Sequence, residues 1–572
     1  MELVIERRAI AQQQILDARL HPVLQRAYAA RGVRDSQDLA LTLDRLVPVS
    51  TLDSIEAAVH LLLEHHQGRI LVIGDFDADG ATSTALVVRC LRSWGFANVD
   101  FLVPNRFEFG YGLTPEIVGL AALRAPTLIV TVDNGISSNA GVAAARARGI
   151  QVLITDHHLP GKVLPDADVI VNPNVPGSRF GSRALAGVGV AFYVMAAVRR
   201  ELDRRGTVVM PPVTDFLDLV ALGTVADLVP LDVNNRVLVS QGIRRIRAGR
   251  SVAGIRALLA IGQRGVAQLT AADLGFSIGP RLNAAGRLDD MSIGIRCLLA
   301  DTDSEALALA SRLDALNTER REIEARMQGA ALAAVQSLRE PGNGPTRQGV
   351  CLFDPDWHQG VVGLVASRIK DRIRRPVIAF ARAGDGGLRG SARSVPGIHI
   401  RDVLDAIAAR HPELISRFGG HAMAAGLSLD EAHLDAFARA FDDEVTRWRD
   451  PSIPTNRVET DGELANEEIA LETAQALRDG GPWGQAFPEP CFDGRFAVKN
   501  ARVVGEKHLK MWVTTHDAAR AFDAIAFNFK GADENPPLPE GDVRLVYRLD
   551  INEYKGERRL QLLVDHVLAS PP

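Results

Sequence analysis

Cysteine is scarce in this chain. Four residues in 572, Cys90, Cys297, Cys351 and Cys491, lie far apart and follow no ligand spacing. This excludes a disulfide scaffold and a structural zinc built on paired thiolates. Long apolar runs are missing too: no window reaches the ~18 consecutive apolar residues of a membrane span, and the opening Met1–Arg8 has no signal-peptide form. A cytoplasmic protein is expected. There is no Gly-x-x-x-x-Gly-Lys-Ser loop, which argues against an ATP-driven motor or kinase, and no Gly-x-Gly-x-x-Gly after a strand, which argues against a dinucleotide oxidoreductase. Aromatic residues make up 5%, with five tryptophans and five tyrosines, so rings for stacking on bases are few. Nor is there an excess of positive charge. Lys and Arg total 65 against 70 Asp and Glu, a net charge of -5. That balance does not suggest a nucleic-acid partner, and it leaves room for a local basic channel on an acidic body.

What is present is organised around Arg69–Gly80. An apolar run, Ile70-Leu-Val-Ile73, empties into Asp75, Asp77 and Asp79, then into Gly80 and a small-residue helix start. Alternate residues of an extended segment point the same way, so the three carboxylates can converge, and carboxylates held that close repel one another unless a cation lies between them. The device recurs. Leu128–Val132 runs into Asp133-Asn-Gly135, and Gln151–Thr155 runs into Asp156-His157-His158. One Asp at a strand end is more often a helix cap than a ligand; three acids in five residues with two further strand-end acids are not explained that way.

A chain of this length exceeds one core, and five segments are read from the pattern. Residues 1–45 form a helical lead-in with Leu16, Leu20, Leu24 and Tyr28 recurring every fourth position. Residues 46–300 hold an α/β domain with continuous apolar strands near 69–74, 99–103, 127–132, 151–155 and 168–171, the mark of a parallel sheet covered on both faces. Ligands of such sheets bind beyond the carboxyl ends of the strands, where Asp77, Asp79, Asp133 and Asp156 fall. Asp227 closes an apolar helical stretch and needs a cation, an arginine or a backbone partner. Residues 301–340 are a connecting long helix, a spacer of about 55 Å. Pro341–Pro345 marks a boundary, and 346–452 is a second α/β domain with strands near 349–353, 376–380 and 387–391. Residues 455–572 read as short strands with Gly-rich joints, a small barrel. The fold class is therefore multidomain α/β with a C-terminal β-barrel.

Carboxylates and imidazole on separate strand ends suit Mn²⁺ or Mg²⁺. Asp77, Asp79, Asp133, His157 and Asp227 are enough for two ions, which activate water and steady the leaving oxygen in displacement at phosphorus. Asp75 need not face the ions, and His158 orients a ligand or the phosphate.

The motifs Asp75-Phe-Asp-Ala-Asp79, Val132-Asp-Asn-Gly135 and Asp156-His-His158 resemble those of the DHH phosphoesterase superfamily. Residues 348–450, with Gly390-Ser-Ala-Arg-Ser394 and Gly419-Gly-His-Ala-Met-Ala-Ala-Gly426, resemble its DHH-associated domain, and the C-terminal β part matches the position of an oligonucleotide-binding (OB-like) barrel in the family's exonuclease branch. The resemblance implies a two-ion Mn²⁺ or Mg²⁺ site from Asp77, Asp79, Asp133, His157 and Asp227, supported by Asp156 and His158. It further implies 5′-to-3′ exonuclease activity on single-stranded DNA, releasing mononucleotides in recombination and repair. The expected partners are a single-strand-binding protein and a RecQ-type or other helicase, with the enzyme a monomer. The alternative is a phosphodiesterase of the same superfamily acting on short oligonucleotides or cyclic dinucleotides.

A phosphodiester needs donors that neutralise phosphate without reading bases. Arg281, Asn283 and Arg287 sit in a Gly/Pro-shaped loop, and Arg389, Ser391, Arg393, Ser394 and His421 in Gly/Ser/His-rich loops; these are the candidate phosphate contacts. Lys507, Lys510, Trp512, Tyr554, Lys555 and Arg558 mix charge with aromatic rings and form a candidate single-strand-binding arm, although Trp512 equally suits the barrel core.

Overall fold

The computed structural model describes residues 3–10, 17, 19–104, 111–207, 210–337, 347–383, 386–450, 456–505, 507–515, 520–529, 537–554 and 556–569. The chain divides into two units: Ile10–Asn317 with Gln475–Glu489, and Met1–Ala9 with Thr318–Ala474 and Pro490–Pro572. Among the described residues no single helix is long and apolar enough to cross a membrane.

Strand β1 (Val4–Arg7) opens the chain and belongs with the second of these units. The first unit begins with α1 (Pro22–Ala29) and α2 (Ile55–Glu64). It continues as β2 (Arg69–Gly74), α3 (Ala78–Ser93), β3 (Asn98–Leu102), α4 (Pro115–Ala122), β4 (Leu128–Val132), α5 (Asn139–Arg146), β5 (Gln151–Thr155) and β6 (Val169–Val171). The sheet order is β3-β2-β4-β5-β6, every pair parallel. Ile70, Leu71, Val72 and Ile73 are buried, as are Leu128–Val132 and Val152–Thr155. A strand buried on both faces has no reason to alternate, which is why these segments read as unbroken apolar runs. Strand order reverses between β3-β2 and β4-β5, so the crevice of this doubly wound sheet opens at the carboxyl ends of β2 and β4.

Helices α6 (Gly187–Arg204), α7 (Leu217–Ala226), α8 (Val233–Arg247), α9 (Ala253–Ile261), α10 (Gly279–Leu288) and α11 (Ser292–Leu299) complete the unit, with α6 and α7 packed on α3. The Gly/Pro-shaped loop expected around Arg281 is helical instead. A single π turn, Leu274–Ile278, runs straight into α10. Pro280 stands in the first turn, where its missing N–H costs nothing.

Helix α12 (Asp303–Ser337) is 35 residues long, about 52 Å at ~1.5 Å per residue. The division between the units falls within it, at Asn317 and Thr318. The Pro/Gly boundary after it lies outside the described residues.

In the second unit, β7 (Val350–Phe353), α13 (Val362–Ile373), β8 (Val377–Arg382), β9 (Leu388–Arg393), α14 (Ile400–Arg410), β10 (Arg417–Gly420), β11 (Ala424–Leu429) and α15 (Leu434–Trp448) form a mixed sheet with its helices, strand order β10-β11-β9-β8-β7. Its core includes Phe380, Phe437 and Phe441, all fully buried. The strand expected near 387–391 is β9, which runs on through Arg393 where a Gly/Ser-rich loop was expected, and the Gly/His-rich segment is the β10–β11 hairpin. Small residues suit this sheet because it has little room: a Cβ on Gly390 would stand 2.5 Å from the Phe380 ring.

Strand β12 (Arg457–Thr460) pairs with β1 in parallel, so part of the lead-in expected as helix is sheet. Leu16 lies outside the described residues, while Leu24 and Tyr28 are buried on α1 as expected. Helix α16 (Leu471–Asp479) follows. The remaining strands are β13 (Phe492–Val504), β14 (His508–Thr515), β15 (Ala521–Ala526), β16 (Gly541–Tyr554) and β17 (Glu557–Ala569). They close into a barrel of order β13-β14-β15-β17-β16, with only β15 and β17 parallel. Strand β13 is longer than the short strands expected here, and it is bulged between Val498 and Asn500.

Candidate metal centre and phosphate contacts

β2, β4 and β5 are neighbours in the sheet, and parallel strands lie about 4.8 Å apart. Their carboxyl ends therefore bring together acids that are distant in sequence. Asp75, Asp77 and Asp79 follow β2, Asp133 follows β4, and Asp156, His157 and His158 follow β5. Asp227 arrives from the carboxyl end of α7. Three ligand sets form, each with its atoms within 4.8 Å of one another: Asp75 with Asp77 and Asp133, Asp79 with His157 and Asp227, and Asp133 with His157 and His158.

Each side chain is set by its local backbone. Asp77 caps α3, its Oδ1 accepting from Gly80 N–H at 3.0 Å. Asp79, in the first turn, is buried and accepts from the N–H groups of Gly187 (2.6 Å) and Val188 (2.9 Å) at the start of α6. Asp133 leaves the sheet at φ +61°, a conformation non-glycine residues rarely adopt. Its Oδ1 is buried, accepts no hydrogen bond from the described residues, and stands 3.1 Å from His157 Nε2. The same nitrogen is 3.5 Å from Asp227 Oδ2. Asp156 Oδ2 accepts from Ile136 N–H, and its Oδ1 from the backbone N–H of His157 and His158. Asn174 and Asn172 donate to the carbonyls of His157 and His158, pinning the loop.

The electrostatics favour a cation. Burial and the charge of Asp77, opposed by the Val188 and Gly187 N–H groups, push Asp79 up to about 7. Burial, then the charges of Asp79, Asp77 and Asp227, hold Asp133 well above the carboxylate range, and burial with Asp79 and Asp77 does the same to Asp227. Burial disfavours the His158 imidazolium, but the hydrogen bond and charge of Asp156 outweigh it and hold His158 up to about 9. A buried carboxylate oxygen with no donor, among acids that repel it, fits hard divalent ions of the Mn²⁺ and Mg²⁺ type.

Several contributors carry no sequence signature. The Gly187 and Val188 amides act through backbone N–H. Tyr111 sits between Phe76 and His158, with ring centroids 6.0 and 5.9 Å away, and its Oη is 3.4 Å from the Asp133 carbonyl. Its flanking glycines, Gly110 and Gly112, are the only hint in the sequence.

The phosphate candidates separate into groups. On α10, Arg281 is engaged by Asp314 at 2.8 Å and by the Ser277 carbonyl at 2.6 Å. Asn283 Oδ1 accepts from Ala78 N–H at 2.8 Å, tying α10 to the Asp77 turn; Arg287 is half-buried on the same helix. In the second unit, strand alternation puts Arg389, Ser391 and Arg393 on one face of β9 and Leu388, Gly390 and Ala392 in the core. Arg393 Nη1 donates to Ser391 Oγ at 3.0 Å, and burial pulls its guanidinium below the usual value. A Cβ on Gly363 would stand 2.9 Å from Ser391 Oγ and 3.0 Å from Arg393 Nη2, so both lie against the first turn of α13. Arg389 donates to Ser428 Oγ. Ser394 is set apart: it is buried and donates to the Ile398 carbonyl at 2.7 Å. His421 is exposed at the β10–β11 turn.

On the barrel, Lys510 and Trp512 project outward from β14 while Leu509, Met511 and Val513 fill the interior. Trp512 is 50% exposed and is not core. Lys510 pairs with Asp523 and Arg558 with Glu553, and Lys507 is exposed. Lys555 and the side chain of Tyr554 lie outside the described residues.

Comparison with known proteins agrees with this architecture. The model of the DHH family, N-terminal domain, matches residues 69–224, that of the DHHA1 domain 347–447 and that of the RecJ OB domain 460–566. The single-stranded-DNA-specific exonuclease RecJ of Escherichia coli (strain K12) is 52% identical over 99% of both chains. Two crystal structures of RecJ from Thermus thermophilus, in complex with Mn2+ and with Mg2+, superpose with TM-scores of 0.81 and 0.75. They are 31% and 28% identical, cover 100% of this chain, and are themselves covered to 80% and 78%. The chain belongs to the RecJ family of DHH-domain proteins.

Proposed function

We propose that this protein is a metal-dependent exonuclease that hydrolyses single-stranded DNA, in recombination and repair. Asp77, Asp79, Asp133, His157 and Asp227 would hold two Mn²⁺ or Mg²⁺ ions, which supply an activated water and positive charge at the phosphoryl oxygens. The chain's own groups do the rest. Asp156 fixes His158, whose imidazolium offsets the negative charge of the cluster. The Gly187 and Val188 amides hold Asp79 in place. Arg393 and Ser391, against the first turn of α13, supply donors for phosphate; a helix amino terminus beside a guanidinium is a built anion site. Outward Trp512, with Lys507, Lys510 and Arg558, supplies stacking and charge for the strand.

Attack from the 5′ end, release of mononucleotides, a monomeric enzyme, and work beside a single-strand-binding protein and a helicase are the finer parts of the same reading. They rest on the family, whose named relatives act on single-stranded DNA.

The observation that carries the reading is the convergence of Asp79, Asp133 and His157, which follow the adjoining strands β2, β4 and β5, with Asp227 from the end of α7. The test is digestion in Mn²⁺ of single-stranded DNA labelled at one end or the other, beside a blunt duplex. Prompt mononucleotide release from the 5′ end is expected, with the duplex spared and Asp79→Ala inactive. An intact long strand beside a cleaved dinucleotide would refute it.

A further inference from the structure

One feature that this reading does not absorb is a cavity of about 760 Å³ in the first unit, within the size range of small-ligand sites. One face of α8 lines it. Arg236, Ser240, Arg244 and Arg247 recur at helical spacing and share the wall with Arg478. Arg236 is built in: it is 5% exposed, its guanidinium lies 4.2 Å over the Phe487 ring, and its Nε has no hydrogen-bond partner among the described residues. Among the described residues, no carboxylate forms an ion pair with Arg236, Arg244 or Arg247. Asp479 and Glu489 are the acids on the wall.

Another part of the lining is apolar and exposed. Phe276 stands on the π turn with 83% of its surface exposed, and Leu228, at φ +60°, is 70% exposed. Single π turns inside helices gather at functional sites. The wall continues to the metal cluster, since Leu228 follows Asp227 directly. Asn283, also on the wall, holds the Ala78 N–H beside Asp77.

Guanidinium groups without carboxylate partners among the described residues, lining the same cavity as the exposed Phe276 ring and Leu228, match one ligand chemistry, a flat base joined to a phosphate. Building on the exonuclease reading, we propose that this cavity binds a nucleotide, with its phosphate at Arg244 and Arg247 and its base against Phe276. That nucleotide is either a unit of the substrate strand or a free mononucleotide.

The test is anisotropy of labelled oligothymidylate and of labelled dTMP on the full chain in EDTA, so that the readout does not depend on turnover. The proteins compared are the parent, Arg244→Ala with Arg247→Ala, Phe276→Ala, and Arg200→Ala as a control for surface charge. All three cavity positions are exposed, so the variants fold. If a strand nucleotide occupies the cavity, each variant binds the oligonucleotide about tenfold more weakly, and the double variant, having lost its one phosphate contact, loses about 0.7 from the log–log salt slope. If a free nucleotide occupies it, dTMP binding falls by a similar factor while the oligonucleotide is unaffected. Variants that stay within twofold of Arg200→Ala for both ligands would overturn the proposal. A parent that binds but fails to digest DNA in Mn²⁺ would overturn the exonuclease reading alone.

Discussion

His158 Nδ1 lies 2.8 Å from Asp156 Oδ1, and that same oxygen takes the backbone N–H of both histidines. Asp156 thus spends its charge on shaping the turn and orienting His158, leaving Asp133 and Asp227 to face His157. Supporting partners of this kind typically carry 10–100-fold in metal affinity or activity. Asp156→Asn is expected to weaken Mn²⁺ binding about 10–100-fold and to bring His158 down from about 9 toward its ordinary value. Manganese titration and the proton NMR titration of the histidine check both.

Gly187 admits no side chain. Its N–H donates to Asp79 at 2.6 Å, and a Cβ there would stand 2.6 Å from Asp133 Cβ. Gly187→Ala is expected to cost about 1–3 kcal/mol of stability and to displace Asp133, weakening metal binding with it. Thermal melts and manganese titration of the purified variant measure the two effects.

Relief of the carboxylate repulsion by a cation must also appear as stability. At a hundred times its dissociation constant a ligand of the native state adds about 2.7 kcal/mol, which for a chain of this size raises the melting temperature by about 2 °C. Chelation should remove that gain together with activity, Mn²⁺ or Mg²⁺ should restore both, and Asp79→Ala should show neither response. Calorimetry with and without metal reads it.

Asp493 joins the barrel to the β1–β12 pair. Its side chain is fully buried and accepts from Arg7 (2.9 Å), Arg544 (2.6 Å) and Thr460 Oγ1 (2.6 Å). Burial opposes its charge, but these donors win and lower it to about 2. A depressed carboxylate stabilises the fold fully above its unfolded pKa of about 4 and loses that contribution as pH falls through the folded value. Asp493→Asn should therefore cost about 1–3 kcal/mol at neutral pH, with the gap to the parent closing between pH 4 and 2. Melts across that range test it.

Trp512 sits outward on β14, opposite Asn500 and Asp523 in the register. Base stacking on such a ring is worth about 1–3 kcal/mol. Trp512→Ala should weaken binding of a long single strand by at least about fivefold while leaving the melting temperature within a degree, since no core packing is lost.

Much of this was legible before any coordinates. Continuous apolar runs that end in acids predict a buried parallel sheet with its ligands at the strand ends, because side-chain burial and strand direction are local consequences of composition. The elements expected from 69 to 171 and from 301 to 337 occur within a few residues of their predicted limits. Strand β9 was legible near 387–391, but the small-residue hairpin strands β10 and β11 were not, since glycine and serine signal loops unless the surrounding bulk is known.

The amino-acid sequence by itself determined which residue types stand at the strand ends, and with them the class of ion and reaction. Tertiary structure alone decided which acids meet and what each one does. Strand order put β2, β4 and β5 side by side, so Asp79, Asp133 and His157 share one site, and the fold of α6 brought the Gly187 amide to Asp79. It also turned Arg281 toward Asp314 and Ser394 into the core. The reason is physical: hydrogen-bonding capacity is written in each side chain, but its partner is chosen by whichever distant segment packing brings within about 3 Å.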